Sequence, residues 1–397
     1  MAIEWSDGSR SKTTFRTAHL DLARRATEQY PQSAAAWYAL AESHFANEDF
    51  TDVVVATGRA LALGAPTGPQ LCAYAKALIA LGRAEEALEA LGRHAPKPAG
   101  PRLRAVRGEA FRRLDRLAEA RVEFDAALAA DPREVTAGRG LSLMLTDQGA
   151  WRDLLDVVAG IEAHGLLSMS LQVAKARALR RLGRHAEARA LMDFDQVGRM
   201  GMIAVPDGFD SLADFNAALV SELASPLHSR LSDRPRLRLV GGTQIEDLAA
   251  SDGPALRVLF AAIRSAVEDY FGDGQGAPGS GMARHAPSQA ELIPWALVLG
   301  PDDFQARHYH VEAAVAGVYY VASPAESLAE AGVDGALVIP DAPDEQEGAE
   351  SLVRHIKPQP GRLVLFPGYL PHRTLPTRKP GQRISIAFNV VSGEDKV

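Results

Sequence analysis

Residues 101–132 read PRLRAVRGEAFRRLDRLAEARVEFDAALAADP, and this stretch decides the fold of the first half of the chain. Its Ala, Leu, Arg and Glu favour helix. Gly108 and Phe111 fall on a first helix, Ala120, Phe124 and Ala127 on a second, and Pro132 marks the exit. Working outward, the small residue of the first helix recurs at Ala41, Ala75, Gly108, Ser142 and Ala176, in steps of 34, 33, 34 and 34. A second register runs through Val53, Ala87, Ala120, Leu154 and Ala188 with the same steps. Two registers that agree define a repeat of two helices and a turn, in which small residues let helices approach and large ones plug the next unit.

This spacing resembles the tetratricopeptide repeat, with Trp37 and Leu40 opening the first of about five units. Thr13–Tyr30, closed by Pro31, reads as a leading half-unit. The resemblance implies an all-α solenoid over residues 13–195 with a concave surface for an extended peptide or another protein. His44, His94, His164 and His185 are scattered through the units without ligand spacing and read as packing residues. Cys72 reads as a small buried hydrophobe, and a lone cysteine excludes an internal disulfide or a thiolate zinc cluster.

Charge divides at the same place as periodicity. Residues 1–195 hold 26 Lys and Arg against 25 Asp and Glu, whereas residues 196–397 hold 17 against 25. The net charge of −7 argues against a nucleic-acid binder, because neutralising phosphates requires an excess of cations. No apolar run is long enough to span a membrane, and the opening residues lack the apolar core of a signal peptide. The expectation is a soluble cytoplasmic protein that engages neither membrane nor nucleic acid.

After Asp195 the pattern changes. Residues 208–225 and 253–271 are amphipathic and predict helices. ELIPWALVL, AVAGVYYVAS, GALVIP, GRLVLFP and QRISIAFNVV are short β-branched and aromatic runs bounded by Gly and Pro, which predict strands. Residues 196–397 are therefore expected to form an α+β domain around an antiparallel sandwich or jelly roll. Residues 272–290 and 341–350 have loop composition, the first long enough for a lid or a disordered insert.

Histidines carry the chemical signal. His308 and His310 stand two apart at the start of a predicted strand, and His372 follows GRLVLFP at a turn. Alternate strand residues share a face, so His308, His310 and Glu312 can point into one cavity, with His372 brought across from a neighbouring strand. Imidazoles gathered on one side of a metal leave other positions open, as in non-haem Fe(II) sites. Arg383, eleven residues beyond His372, can clamp a carboxylate bidentately, and Ser385 on the same face adds a hydroxyl donor. A keto-dicarboxylate such as 2-oxoglutarate fits this pattern, one end on the metal and the other on Arg383 and Ser385. Tyr319 and Tyr320 face opposite ways, one toward the cavity and one toward the core according to register. Trp295 and Phe366 read as core aromatics.

The run HYHVEAAVAGVYYV, followed by GRLVLFPGYLPHRT and RISIAFN, resembles the 2-oxoglutarate and Fe(II)-dependent oxygenase superfamily. The most similar subgroup has His-x-His, then Ser-Gly-Val-Tyr-Tyr, Phe-Pro with a following histidine, and Arg-x-Ser, often behind tetratricopeptide repeats. Ala316 stands where that pattern has Ser. The likeness spans about residues 290–392 and, more loosely, 196–290 through GGTQ at 241–244. It implies a double-stranded β-helix core, Fe(II) at His308, His310 and His372, and 2-oxoglutarate at Arg383 with Ser385. Dioxygen would be the co-substrate and ascorbate an optional reductant. The superfamily's commoner His-x-Asp/Glu is equally met by His310 and Glu312, so either His308 or Glu312 completes the metal set.

Two functions follow. One is a dioxygenase that hydroxylates a peptide or protein recruited by the repeats, or else a small molecule, with conversion of 2-oxoglutarate to succinate. The other is a repeat-based scaffold whose β-domain is a silent metal-binding module.

Overall fold

The computed structural model describes residues 3–6, 12–164, 168–225, 239–246, 248–272, 286–310, 312–329, 332–340 and 352–392. The two segments of loop composition lie outside the described residues except at their flanks. The chain divides into two compact units, residues 12–182 and residues 1–11 with 183–397.

Among the described residues the first unit is all helix. A leading α1 (Lys12–Gln29) is followed by α2 (Ala34–Ala46), α3 (Phe50–Leu61), α4 (Gly68–Ala80), α5 (Ala84–His94), α6 (Pro101–Arg113), α7 (Leu117–Ala130), α8 (Val135–Asp147), α9 (Trp151–Ala163) and α10 (Met169–Arg181). Sequence punctuation sets these limits. Thr67 and Gln70 form a reciprocal capping box at the start of α4, where Pro69 stands in the first turn. Ser33 caps α2 by accepting from the Ala36 amide.

Both predicted registers are buried. Phe124 on α7 shows why the register needs small residues: its ring lies against α6 and α8 and is fully buried. A Cβ added at Gly108 or Gly140 would come within 2.7 or 2.3 Å of that ring. The backbone of α6 and α8 thus supplies the slot that the ring fills. Cys72 is buried as expected. Of the four repeat histidines only His44 is buried; His164 and His185 are exposed, so the packing reading fails for them. Nothing in a lone His at a helix end marks its exposure, because the apolar stripe that faces the core is set by its neighbours.

The second unit begins with α11 (His185–Met192) and α12 (Phe194–Val197). They are tied down by buried tyrosines: Tyr369 Oη donates to the Leu191 carbonyl at 2.9 Å, and Tyr270 Oη donates to that of Val197. The predicted amphipathic helices are α13 (Leu212–Leu223) and α14 (Pro254–Gly272).

Among the described residues the unit has twelve strands: β1 (Glu4–Trp5), β2 (Arg199–Met202), β3 (Leu239–Val240), β4 (Thr243–Ile245), β5 (Gln289–Leu299), β6 (Phe304–Gln305), β7 (Ala313–Ala322), β8 (Leu337–Ile339), β9 (Arg354–Ile356), β10 (Arg362–Pro367), β11 (Arg373–Thr374) and β12 (Arg383–Ser392). Seven strands make one sheet in the order β1-β5-β12-β7-β10-β2, with β4 also on β5. Strands β11-β8-β9 make a second sheet, and β3 pairs with β6. The unit is a helix-backed jelly roll of the double-stranded β-helix type. Long β5, β7 and β12 form its centre, where both faces are covered and apolar residues run almost continuously.

Register fixes which residues share the inner face. Ser385 on β12 lies between Leu297 on β5 and Tyr320 on β7, and Ala387 lies between Trp295 and Val318. Tyr319, one residue out of step, faces the other way. Its hydroxyl donates to Asn216 Oδ1 of α13 at 2.8 Å and its ring meets Phe215 edge-on. The choice between the two tyrosines is thereby made: Tyr319 belongs to the helix-covered core and Tyr320 to the cavity.

Candidate metal and carboxylate site

The inner faces of the two sheets enclose a cavity whose walls include His308, His310, His372, Tyr320, Arg383 and Ser385.

The segment carrying His308 and His310 is not a strand, contrary to the alternation expected for RHYHVEA; β7 begins only at Ala313. Backbone pairing with the 368–372 turn orients the two histidines instead. His308 and His372 exchange N–H···O bonds of 2.9 Å in both directions, and the His310 amide donates to the Gly368 carbonyl at 2.7 Å. Gly368 is required for this approach, because a Cβ there would meet the Ala313 and His310 carbonyl oxygens at 2.1 and 2.5 Å. One turn after β10 therefore sets the spacing of all three imidazoles.

A potential ligand atom from each of His308, His310 and His372 lies within 4.8 Å of the other two. The Nδ1 of His308 faces the Ala306 carbonyl at 2.8 Å, and that of His372 faces the Leu370 carbonyl at 2.9 Å. A carbonyl only accepts, so Nδ1 carries the proton in both rings and Nε2 keeps its lone pair for a metal. Glu312 is exposed and stands outside this group.

At the other pole of the cavity Arg383 is 2% exposed. Its Nη1 donates to the Gly335 carbonyl at 2.8 Å, while Nε is buried without a hydrogen-bond partner. Ser385 Oγ is likewise buried and unpartnered. Burial pushes the Arg383 pKa down, yet a guanidinium stays charged in proteins, so a desolvated cation with no carboxylate among the described residues faces the cavity. Such a group is costly unless an anion joins it. Burial also pushes the Tyr320 phenol up to about 12, against the pull of Arg383, so it is a neutral donor beside the cation at neutral pH.

A polar cluster outside the cavity holds this arginine. The Asp334 carboxylate accepts from Thr377 Oγ1 at 2.8 Å, from the Arg378 amide at 2.9 Å and from Ser327 Oγ. Burial alone would raise its pKa; these bonds hold it below the usual carboxylate range. The next residue, Gly335, supplies the carbonyl that receives Arg383.

Trp295 and Phe366, read from sequence as core aromatics, line the cavity, with ring centroids 6.0 Å from His310 and 4.7 Å from His372. Gln305 and Thr374 also line it and are joined by a 2.8 Å bond from the Gln305 amide to Thr374 Oγ1. Only strand parity could have flagged Trp295: it is two residues from Leu297, and both share the face of Ser385. Asn389 is half-buried, its Oδ1 unpartnered.

Residues 294–389 match the family model described as "Putative 2OG-Fe(II) oxygenase". Among solved structures the chain is similar to a prolyl-4-hydroxylase of Pseudomonas putida, at 16% identity over 56% of this chain and 98% of that one, with a TM-score of 0.35. It is similar to HygX of Streptomyces hygroscopicus, solved with nickel and 2-oxoglutarate, at 17% identity over 50% and 85% of the two chains, TM-score 0.32. It is also similar to a tetratricopeptide repeat protein of Parabacteroides merdae, at 17% identity over 44% and 70%, TM-score 0.37. No curated protein matches the chain. The match to the 2OG-Fe(II) oxygenase family model thus falls in the β-rich unit and takes in His308, His310, His372, Arg383 and Ser385, and the helix pairs of residues 12–182 precede it.

Proposed function

We propose that the protein is a 2-oxoglutarate- and Fe(II)-dependent dioxygenase that hydroxylates a peptide or protein substrate recruited by its repeats. The observation that carries this reading is the pairing, in one cavity, of three converging imidazoles with a buried, uncompensated Arg383 beside the open hydroxyl of Ser385. His308, His310 and His372 would hold Fe(II) through Nε2, and the exposure of Glu312 favours this set over the one containing it. When bound, the metal with 2-oxoglutarate and dioxygen would supply the oxidising chemistry, with succinate as co-product.

This chain's own residues would do the positioning. The orphaned Nε of Arg383 and the Ser385 hydroxyl would receive the distal carboxylate, restoring the partners that burial has removed. Tyr320, held neutral, would donate a proton into a hydrogen bond without giving it up. Trp295, Leu297, Val318 and Phe366 would exclude water from the reacting end.

The test is anaerobic titration with Fe(II) and then 2-oxoglutarate, read as a visible charge-transfer band, followed by succinate assay in air. A band and succinate are expected. If neither forms, the scaffold with a silent β-domain becomes the better account.

A further inference from the structure

In the helical unit many basic side chains sit beside an acid: Arg107 on Glu123, Arg112 on Glu109, Lys175 on Glu162. Lys76, Arg102 and Arg139 are among those that do not. They have no ion pair among the described residues, although stacking brings them together. They sit on α4, α6 and α8, the first helices of three successive repeats, where α4 packs on α6 and α6 on α8. Arg102 and Arg139 both act electrostatically on Lys76. Glu134 is the acid that also reaches Lys76, but its carboxylate accepts from the Thr136 amide at 3.1 Å at the start of α8.

Three cations assembled against one acid repel one another in the free protein, and that repulsion is relieved when anionic groups arrive. An apolar element lies beside them. Leu143 is one turn beyond Arg139 on α8, on the same helix face, and is 43% exposed. Charged anchors around a bare leucine suit a peptide better than a nucleic acid. The helical half is close to neutral, without the cation excess that a phosphate backbone requires.

We propose that this face of the repeats binds an acidic peptide segment, its carboxylates on Lys76, Arg102 and Arg139 and an apolar side chain against Leu143. The inference rests on the reading of the repeats as a recruiting surface, and it names the chemistry of what they recruit.

Fluorescence anisotropy on the full chain tests it, with a labelled peptide of Asp and Glu around a central Leu and its Asn and Gln counterpart. The acidic peptide is expected to bind about tenfold or more tightly than the amide peptide, and Arg102→Gln with Arg139→Gln to remove about that factor. Added salt should weaken the acidic peptide in the parent protein more than in the double variant. Leu143→Ser should weaken binding and leave the salt dependence as it was. Equal binding of the two peptides, or an unchanged affinity in the double variant, overturns the proposal. So does a double variant that loses only oligonucleotide binding.

The Fe(II) and 2-oxoglutarate band recorded on the same double variant should match the parent. Absence of the band in the parent would end the dioxygenase reading while leaving the peptide result intact. Normal peptide loss with unchanged substrate turnover would end the recruiting role and leave the binding site standing.

Discussion

The two units bury their polar groups in opposite ways. In the helical unit the interior around Phe124 is made of Ala, Leu, Val, Ile and Met, and charged groups such as Arg107 with Glu123 and Arg112 with Glu109 meet opposite charges at partly exposed positions. In the β-rich unit a guanidinium and a hydroxyl are buried in the centre of a sheet with donor positions unfilled. Each unit buries polar atoms without a hydrogen bond, but in the first Arg107 Nε and Glu123 Oε2 belong to side chains that pair with each other, whereas in the second Arg383 has no carboxylate partner among the described residues. Stability should therefore reside in shape in the one and be given up for ligand affinity in the other.

The largest effect should come from the histidines. His372→Ala removes one imidazole and the ring against Phe366, and should abolish Fe(II) retention and bring turnover to background, measured by metal content and succinate release. His308→Ala should do the same, whereas Glu312→Ala, at an exposed position, should keep full metal content. A variant at Glu312 that loses iron would break the three-imidazole assignment.

Phe124→Ala tests the other side of the comparison. It empties the slot between Gly108 and Gly140 and should cost about 3–5 kcal/mol. Thermal unfolding would register this, while the metal and 2-oxoglutarate band of the folded protein should be unchanged. Loss of the band at temperatures where the protein is still folded would show that the two interiors do not behave independently.

Arg383→Met should invert that pattern. An apolar chain of similar length removes an uncompensated buried cation, so unfolding temperature should stay level or rise. The 2-oxoglutarate affinity should fall by a factor on the order of 10–100, as for a lost charge-assisted pair, with iron retained. A variant that loses stability and keeps its affinity would refute the role given to Arg383.

How far these features were legible in sequence follows the same division. The helical repeat was legible because each unit restates the same local rule, and its ten register positions are all buried. The long strands β5, β7, β10 and β12 were legible by composition. Short strands such as β1, β2 and β9 were not, since two to four residues carry no period and each exists only through a distant partner. His308, His310, His372, Arg383 and Ser385 could be picked out by spacing, but not the means of orienting them. The sequence suggested strand alternation for the histidines; backbone bonds to Gly368 and His372 set them instead. Trp295 and Phe366 were hidden because an aromatic in a strand reads the same whether its face is core or cavity wall.

The smallest effect should be the most diagnostic of how the cavity is held. Asp334→Asn keeps the shape but replaces an acceptor of three donors with an amide that repels one of them. The Asp334–Gly335 turn should loosen, and with it the carbonyl that orients Arg383, raising the 2-oxoglutarate dissociation constant by a few-fold, worth about 1 kcal/mol. Because the folded carboxyl is held below its usual pKa, its contribution is present above the ordinary Asp range and lost as pH falls through the folded value. Asn does not titrate, so the acid limb of the stability profile should be shallower in the variant. The shift in 2-oxoglutarate affinity should appear without any shift in iron content. If iron falls in parallel, the cluster supports the whole jelly roll, and the separation between a pole that holds metal and a pole that holds carboxylate is lost.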